Sequence, residues 1–182
     1  IDEWGGWHNT ERAGPDALRQ QSTLRDAVLA AMTLDVLIRH ADIVAMANVA
    51  QLVNVLQALI LTDGDRMLLT PTYHVFDLYQ GHRGGALAPM TILADDLRVP
   101  DATTAGPQVL GGSATVRDGL PPPHNLNPPP RAPRGPGRPS GAARPVSAEV
   151  SVLVADAPQA HNTFADPARV APRRAAFAPS DG

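Results

Sequence analysis

Glu3 stands between Asp2 and Trp4, with Trp7 four positions further on, and those are the only two tryptophans in the chain. A carboxylate beside large aromatic faces suits one chemistry in particular. The rings grip the face of a sugar while the carboxylate attacks its anomeric carbon. The competing reading is that Asp2 and Glu3 are solvated charges on a frayed terminus. The tryptophans weigh against it, because exposed pairs are uncommon without a ligand or a core to cover them. Other polar groups are more easily read as structural. His40 and Asp42 fall at a helix end, where a histidine complements the helix dipole. Tyr73 and His74 sit on an apolar helix, and Asn48 and Gln51 close an apolar run. His82 and His124 have no partners at metal spacing and there is no cysteine, so no metal site is expected.

The elements that must position these groups belong to a chain of 182 residues with net charge -3. That charge argues against a nucleic-acid surface, and no apolar run is long enough for a membrane-spanning helix. All 15 cationic residues are arginine, a mark of GC-rich coding. Thr23 followed by Asp26 resembles a capping box. Leu24, Val28, Met32 and Val36 then recur every fourth residue with Ala27 and Ala31 beside them, one apolar stripe that predicts a helix reaching about His40. Residues 43–50 form a short apolar run that suits a strand buried on both faces. Asp63-Gly64-Asp65 between two apolar runs signals a hairpin. Residues 72–80 predict a short helix with Pro71 near its start. Strand-like stretches follow at 86–94 and 146–154. Helix, buried strand, helix is the rhythm of an α/β barrel.

Between them lies a different segment. Ten of the 19 prolines fall from Pro121 to Pro145, beside Arg131, Arg134, Arg138 and Arg144. Residues 101–145 are therefore expected to be disordered or extended, without ladder hydrogen bonds. A pair of compensating frameshifts in the coding DNA is a second explanation of this composition. Translating the other frames across residues 120–145 tests it.

The blocks DEWGGW, RHADIVAMANVAQLVNVLQALILTDGDRMLLTPTYHVFDLY and AHNTF occur in that order. They closely resemble the carboxyl-terminal part of glycoside hydrolase family 51, the retaining α-L-arabinofuranosidases. The resemblance implies an α/β fold, the C-terminal part of a (β/α)8 TIM barrel followed by part of a β-sandwich domain. It divides the chain into the end of the barrel (1–85), the start of the sandwich (86–100), the proline- and arginine-rich segment (101–145) and the remainder of the sandwich (146–182). It implies that Glu3 is the catalytic nucleophile at the end of barrel strand seven. Trp7 is then the aromatic wall of the sugar subsite, and Gln51 contacts the bound arabinose or steadies the nucleophile. His161-Asn162-Thr163 matches the sandwich as a loop-folding motif. The family commonly reads DEWNVWY at the nucleophile, so Gly5, Gly6 and His8 depart from it, and the two glycines are expected to loosen the loop that carries Trp7.

The implied reaction is a double displacement needing two carboxyl groups about 5–5.5 Å apart. Only Glu3, Glu11 and Glu149 are glutamates, and neither of the latter two sits in the family's Asn-Glu acid/base motif. The chain is thus expected to be a fragment, inactive alone, of an enzyme that removes α-L-arabinofuranosyl groups from arabinoxylan, arabinan and oligosaccharides. The alternative is a non-catalytic remnant that binds sugar or a partner. By the same resemblance the enzyme needs no cofactor, is cytoplasmic and forms a homo-oligomer.

Overall fold

The structure, a computed structural model, describes residues 1–8, 18–92, 111–117, 124–127 and 149–175. Its framework is two helices, α1 (Leu24–Arg39) and α2 (Pro71–Tyr79), separated by a hairpin of β1 (Ile60–Asp63) and β2 (Arg66–Leu69). Three short strands form a second sheet in the order β3 (Ala86–Leu87), β4 (Gly111–Val116), β5 (His124–Asn127). A further pair joins β6 (Val150–Val152) to β7 (Arg173–Ala175), and all these pairings are antiparallel.

Helix α1 starts where the sequence predicts. Asp26 Oδ2 accepts hydrogen bonds from both the Thr23 backbone N–H and the Thr23 hydroxyl, each at 2.8 Å. The first-turn N–H groups of Leu24 and Arg25 donate to the carbonyls of Ala160 and Pro158, both at 2.9 Å, which satisfies donors that a helix start leaves open. Helix α2 has Thr70 as its N-cap and Pro71 at its first position, where the missing N–H costs nothing. The hairpin turns at Gly64-Asp65, since Asp63 pairs with Arg66, and Gly64 takes φ 60°. A glycine first in a two-residue turn matches the twist of the strands it joins.

The buried face of α1 lies on the alanine side of the expected stripe. Ala27, Ala30 and Ala31 are buried against Val75 and Tyr79 of α2, whereas Val36 is exposed and Leu24, Val28 and Met32 are only half-buried. Small side chains let the two helix backbones approach closely, and that gain outweighs the larger residues beside them. Polar groups complete the contact. Asp35 is 1% exposed and accepts from the Tyr79 hydroxyl at 2.8 Å and the Ser113 hydroxyl at 2.7 Å. Arg39 donates to the Gly112 carbonyl at 2.8 Å, and His82 Nδ1 lies 3.0 Å from Thr115 Oγ1. This seam fastens β4 to the helices.

Two other expectations are corrected. Residues 43–50 do not form a strand buried on both faces. Ile43 is 77% exposed and Met46 65%, and only Val49 makes a bridge, parallel to Trp4. A doubly buried strand needs a neighbour on each edge and cover on each face, and among the described residues this stretch has one neighbour. Within 101–145, residues 111–116 and 124–127 do form ladder hydrogen bonds, with Gly111 opposite Asn127 and Ala114 opposite His124. Backbone groups rather than side chains make the ladder, and residues 124–127 contain no proline to interrupt it. The rest of that segment lies outside the described residues. Of the strand-like stretch at 86–94 only Ala86–Leu87 is a strand and residues 93–94 lie outside the described residues, while 146–154 narrows to Val150–Val152, with residues 146–148 also outside them.

Candidate functional site

Residues 1–4 run parallel to residues 46–50. The terminal ammonium donates to Met46 O at 3.0 Å, Asn48 N–H to Ile1 O at 3.2 Å, Trp4 N–H to Asn48 O at 2.9 Å and Ala50 N–H to Trp4 O at 3.0 Å. Two parallel staves so joined are how a barrel wall begins. Successive side chains along such a stave face opposite sides. Trp4 faces the helices: its ring stacks on Phe76 of α2 at 6.0 Å between centroids and 17° between planes, and it packs on the alanine cluster of α1. Glu3, one residue earlier, is exposed on the other side. Gln51 follows the parallel stave directly, after a cis Ala50–Gln51 peptide bond, and is also exposed. The bridge between Trp4 and Val49 thus sets Glu3 and Gln51 at one end of two adjacent staves.

Trp7 lies beyond the Gly5-Gly6 step and is 43% exposed. The two glycines bring this loop close to its neighbours. A Cβ on Gly5 would fall 1.5 Å from Gln57 Oε1, and one on Gly6 would fall 2.3 Å from Leu29 Cδ2. Gly5 also takes φ 156°, which disfavours any larger residue. The glycines are there for close approach, and the loop is pinned from behind. Gln57 Nε2 and Gln20 Nε2 both donate to the Gly6 carbonyl, the latter at 3.1 Å. His8 Nε2 lies 2.9 Å from Asp26 Oδ1, so the carboxylate that caps α1 also anchors the end of the loop. Sequence reasoning missed Gln20, Gln57 and the second role of Asp26. Two glycines in place of bulkier residues beside a predicted nucleophile were the available signal, since they imply a neighbour that occupies the space.

The remaining candidates are structural. Tyr73 and His74 lie edge to face at 5.7 Å on α2, the helix against which Trp4 packs and hence on the side away from Glu3. Burial lowers the pKa of His74 from its usual 6.5, opposed by the nearby Asp77. His40 caps the end of α1, its carbonyl accepting from Ile43 N–H at 3.0 Å and Val44 N–H at 2.9 Å. Asp42 is exposed in the turn that follows. Asn48 contributes its backbone to the stave pairing while remaining exposed. Asn162 is 3% exposed and clamps its loop: its amide donates to Leu69 O at 2.9 Å and Val170 O at 3.0 Å, and its oxygen accepts from Val170 N–H at 2.7 Å. Glu149 is exposed and paired with Arg174 at 3.0 Å, while Glu11 lies outside the described residues. Among the described residues, no cluster of three or more metal-ligating side chains occurs and no helix is long and apolar enough to cross a membrane.

The family model of the alpha-L-arabinofuranosidase C-terminal domain matches residues 2–182. The chain belongs to that family. An intracellular exo-alpha-L-arabinofuranosidase of Bacteroides ovatus is 41% identical over 121 residues, which are 66% of this chain and 23% of that protein. The crystal structure of the GH51 arabinofuranosidase from Xanthomonas axonopodis pv. citri superposes with a TM-score of 0.77 at 38% identity, covering 97% of this chain and 36% of that one. The thermostable GH51 enzyme from Thermotoga petrophila also gives 0.77, at 25% identity over 96% of this chain and 38% of that one. The chain therefore spans about a quarter to two-fifths of these relatives. Its fold is the C-terminal part of a (β/α)8 barrel followed by part of a β-sandwich.

Proposed function

We propose that this chain is the nucleophile-bearing part of a longer retaining α-L-arabinofuranosidase of glycoside hydrolase family 51. Glu3 attacks the anomeric carbon of a terminal α-L-arabinofuranosyl group, Trp7 walls the sugar subsite and Gln51 contacts the sugar or steadies Glu3. The observation that carries this reading is the alternation along the first stave: Trp4 is locked inward on Phe76, so Glu3 stands exposed beside the stave that ends at Gln51. In a barrel, the carboxyl ends of the strands are where catalytic groups gather.

The mechanism needs a second carboxyl group to protonate the leaving oxygen and then activate water. Glu149 is ill suited, being in the region of β6 and paired with an arginine. The acid/base comes from a part of the longer polypeptide outside these residues. We divide the chain functionally into a barrel part, 1–85, the start of a sandwich, 86–100, the proline- and arginine-rich segment, 101–145, and the remainder of the sandwich, 146–182. Substrates are arabinofuranosyl groups of arabinoxylan, arabinan and oligosaccharides, and no cofactor takes part. The longer enzyme is placed in the cytoplasm, in line with the relative named as intracellular, and works as a homo-oligomer without nucleic-acid or membrane partners.

Assay with a nitrophenyl arabinofuranoside tests this. The 182-residue chain alone should give essentially no turnover. The longer polypeptide should hydrolyse the substrate and lose at least about 10³-fold in kcat with Glu3→Gln, the scale of removing a nucleophile. Undiminished activity in that variant would remove Glu3 from the mechanism.

A further inference from the structure

Behind the Glu3–Trp7 loop lies a small cavity walled in part by Trp4, Gly5, Gly6, Ala30, Gln57 and Thr72. Three of the buried side-chain polar atoms without a hydrogen-bond partner belong to its walls: Trp4 Nε1, Gln57 Oε1 and Thr72 Oγ1. They come from three separate segments: the first stave, the loop before β1, and the first turn of α2. Their chemistry is complementary to one guest. The indole N–H can only donate and the amide oxygen can only accept, while the hydroxyl does either. The orientation of Gln57 is fixed, because its Nε2 donates to the Gly6 carbonyl and turning the amide over would set two oxygens against each other. The space open to the centre of a water is about 10 Å³, close to what a single water requires.

We propose that one ordered water occupies this cavity. It accepts from Trp4 Nε1–H, donates to Gln57 Oε1 and shares its remaining capacity with Thr72 Oγ1. Three hydrogen bonds are typical of a buried water, and this one ties α2 and the loop before β1 to the residues that carry Glu3 and Trp7. The site does not depend on what Glu3 does, so it stands or falls separately from the enzymatic reading.

With only two tryptophans, the Trp4 and Trp7 indole protons are simple to assign by NMR on the full chain. The Trp4 indole proton should show cross-relaxation to water, with NOE and ROE of the sign that marks a long-lived bound molecule. Trp7, exposed, should not. Thr72→Val separates a bound water from proton relay through the Thr72 hydroxyl. Persistence of the signal in Thr72→Val supports the site. Its loss with an unshifted Trp4 resonance overturns it, as does its absence in the unmodified chain. If Thr72→Val does not fold, a crystal structure of the unmodified chain decides. A water within hydrogen-bond distance of all three atoms supports the site, and a Gln57 oxygen turned directly onto Trp4 Nε1 refutes it.

Discussion

The two faces of the first stave are built on opposite principles. On the Trp4 side, alanines of α1 are 0–4% exposed, Asp35 is sealed between Tyr79 and Ser113, and a Cβ on Gly5 or Gly6 would require Gln57 or Leu29 to move. On the Glu3 side the candidate site residues Glu3 and Gln51 lie open, and Ile43, Met46 and Leu52, in and beside the second stave, are 60–77% exposed. The contrast teaches that the chain's stability and its proposed chemistry reside in different residues. The face proposed to be reactive is held from behind.

The comparison breaks most readily at Asp35. Asp35→Ala should lower the unfolding free energy by about 2 kcal/mol, since the buried Ser113 hydroxyl loses its acceptor and the Tyr79 hydroxyl keeps only the Ala31 carbonyl. Urea melts of the full chain measure this, and a change under about 0.5 kcal/mol would mean the seam carries little. Asn162→Ala comes next, at about 2 kcal/mol, because three backbone groups of two segments lose one clamp.

A pH effect should be smaller. His74 is half-buried and its pKa is lowered first by burial, with Asp77 opposing. The folded state then binds fewer protons than the unfolded one between the lowered value and 6.5, so stability rises with pH across that window and is lost as pH falls through it. His74→Gln should flatten that rise in a melting-temperature series; an unchanged slope assigns the pH dependence to other groups. The smallest effect belongs to the exposed apolar residues, where Ile43→Ser and Met46→Ser in the isolated chain should each stay within about 0.5 kcal/mol. A larger loss would show that these residues are covered in solution.

Much of the packed side was legible in the sequence. Thr23 with Asp26, Pro71, and Gly64 act through local backbone chemistry, so they mark helix starts and a turn without knowledge of the rest of the fold. The face of α1 was legible in part: the stripe took in Ala27 and Ala31, but which edge of it is buried was set by backbone approach, which favours the alanines over Leu24 and Val28. Asp35 was hidden, since its partners lie 44 and 78 residues away, whereas the resemblance marked Asn162 as part of a loop-folding motif without naming its partners, 8 and 93 residues away. At the candidate site, residue types gave Glu3 and its aromatic neighbours. The support from Gln20 and Gln57 required three-dimensional contact, and the close fit of Gly5 and Gly6 could not be distinguished from looseness by composition.

The most direct measurement pairs turnover with thermal melting for Glu3→Gln in the longer polypeptide. The account predicts at least about a 10³-fold loss of turnover with an unchanged melting temperature. Retained turnover, or a melting temperature that falls along with activity, would contradict the separation of chemistry from stability along this stave.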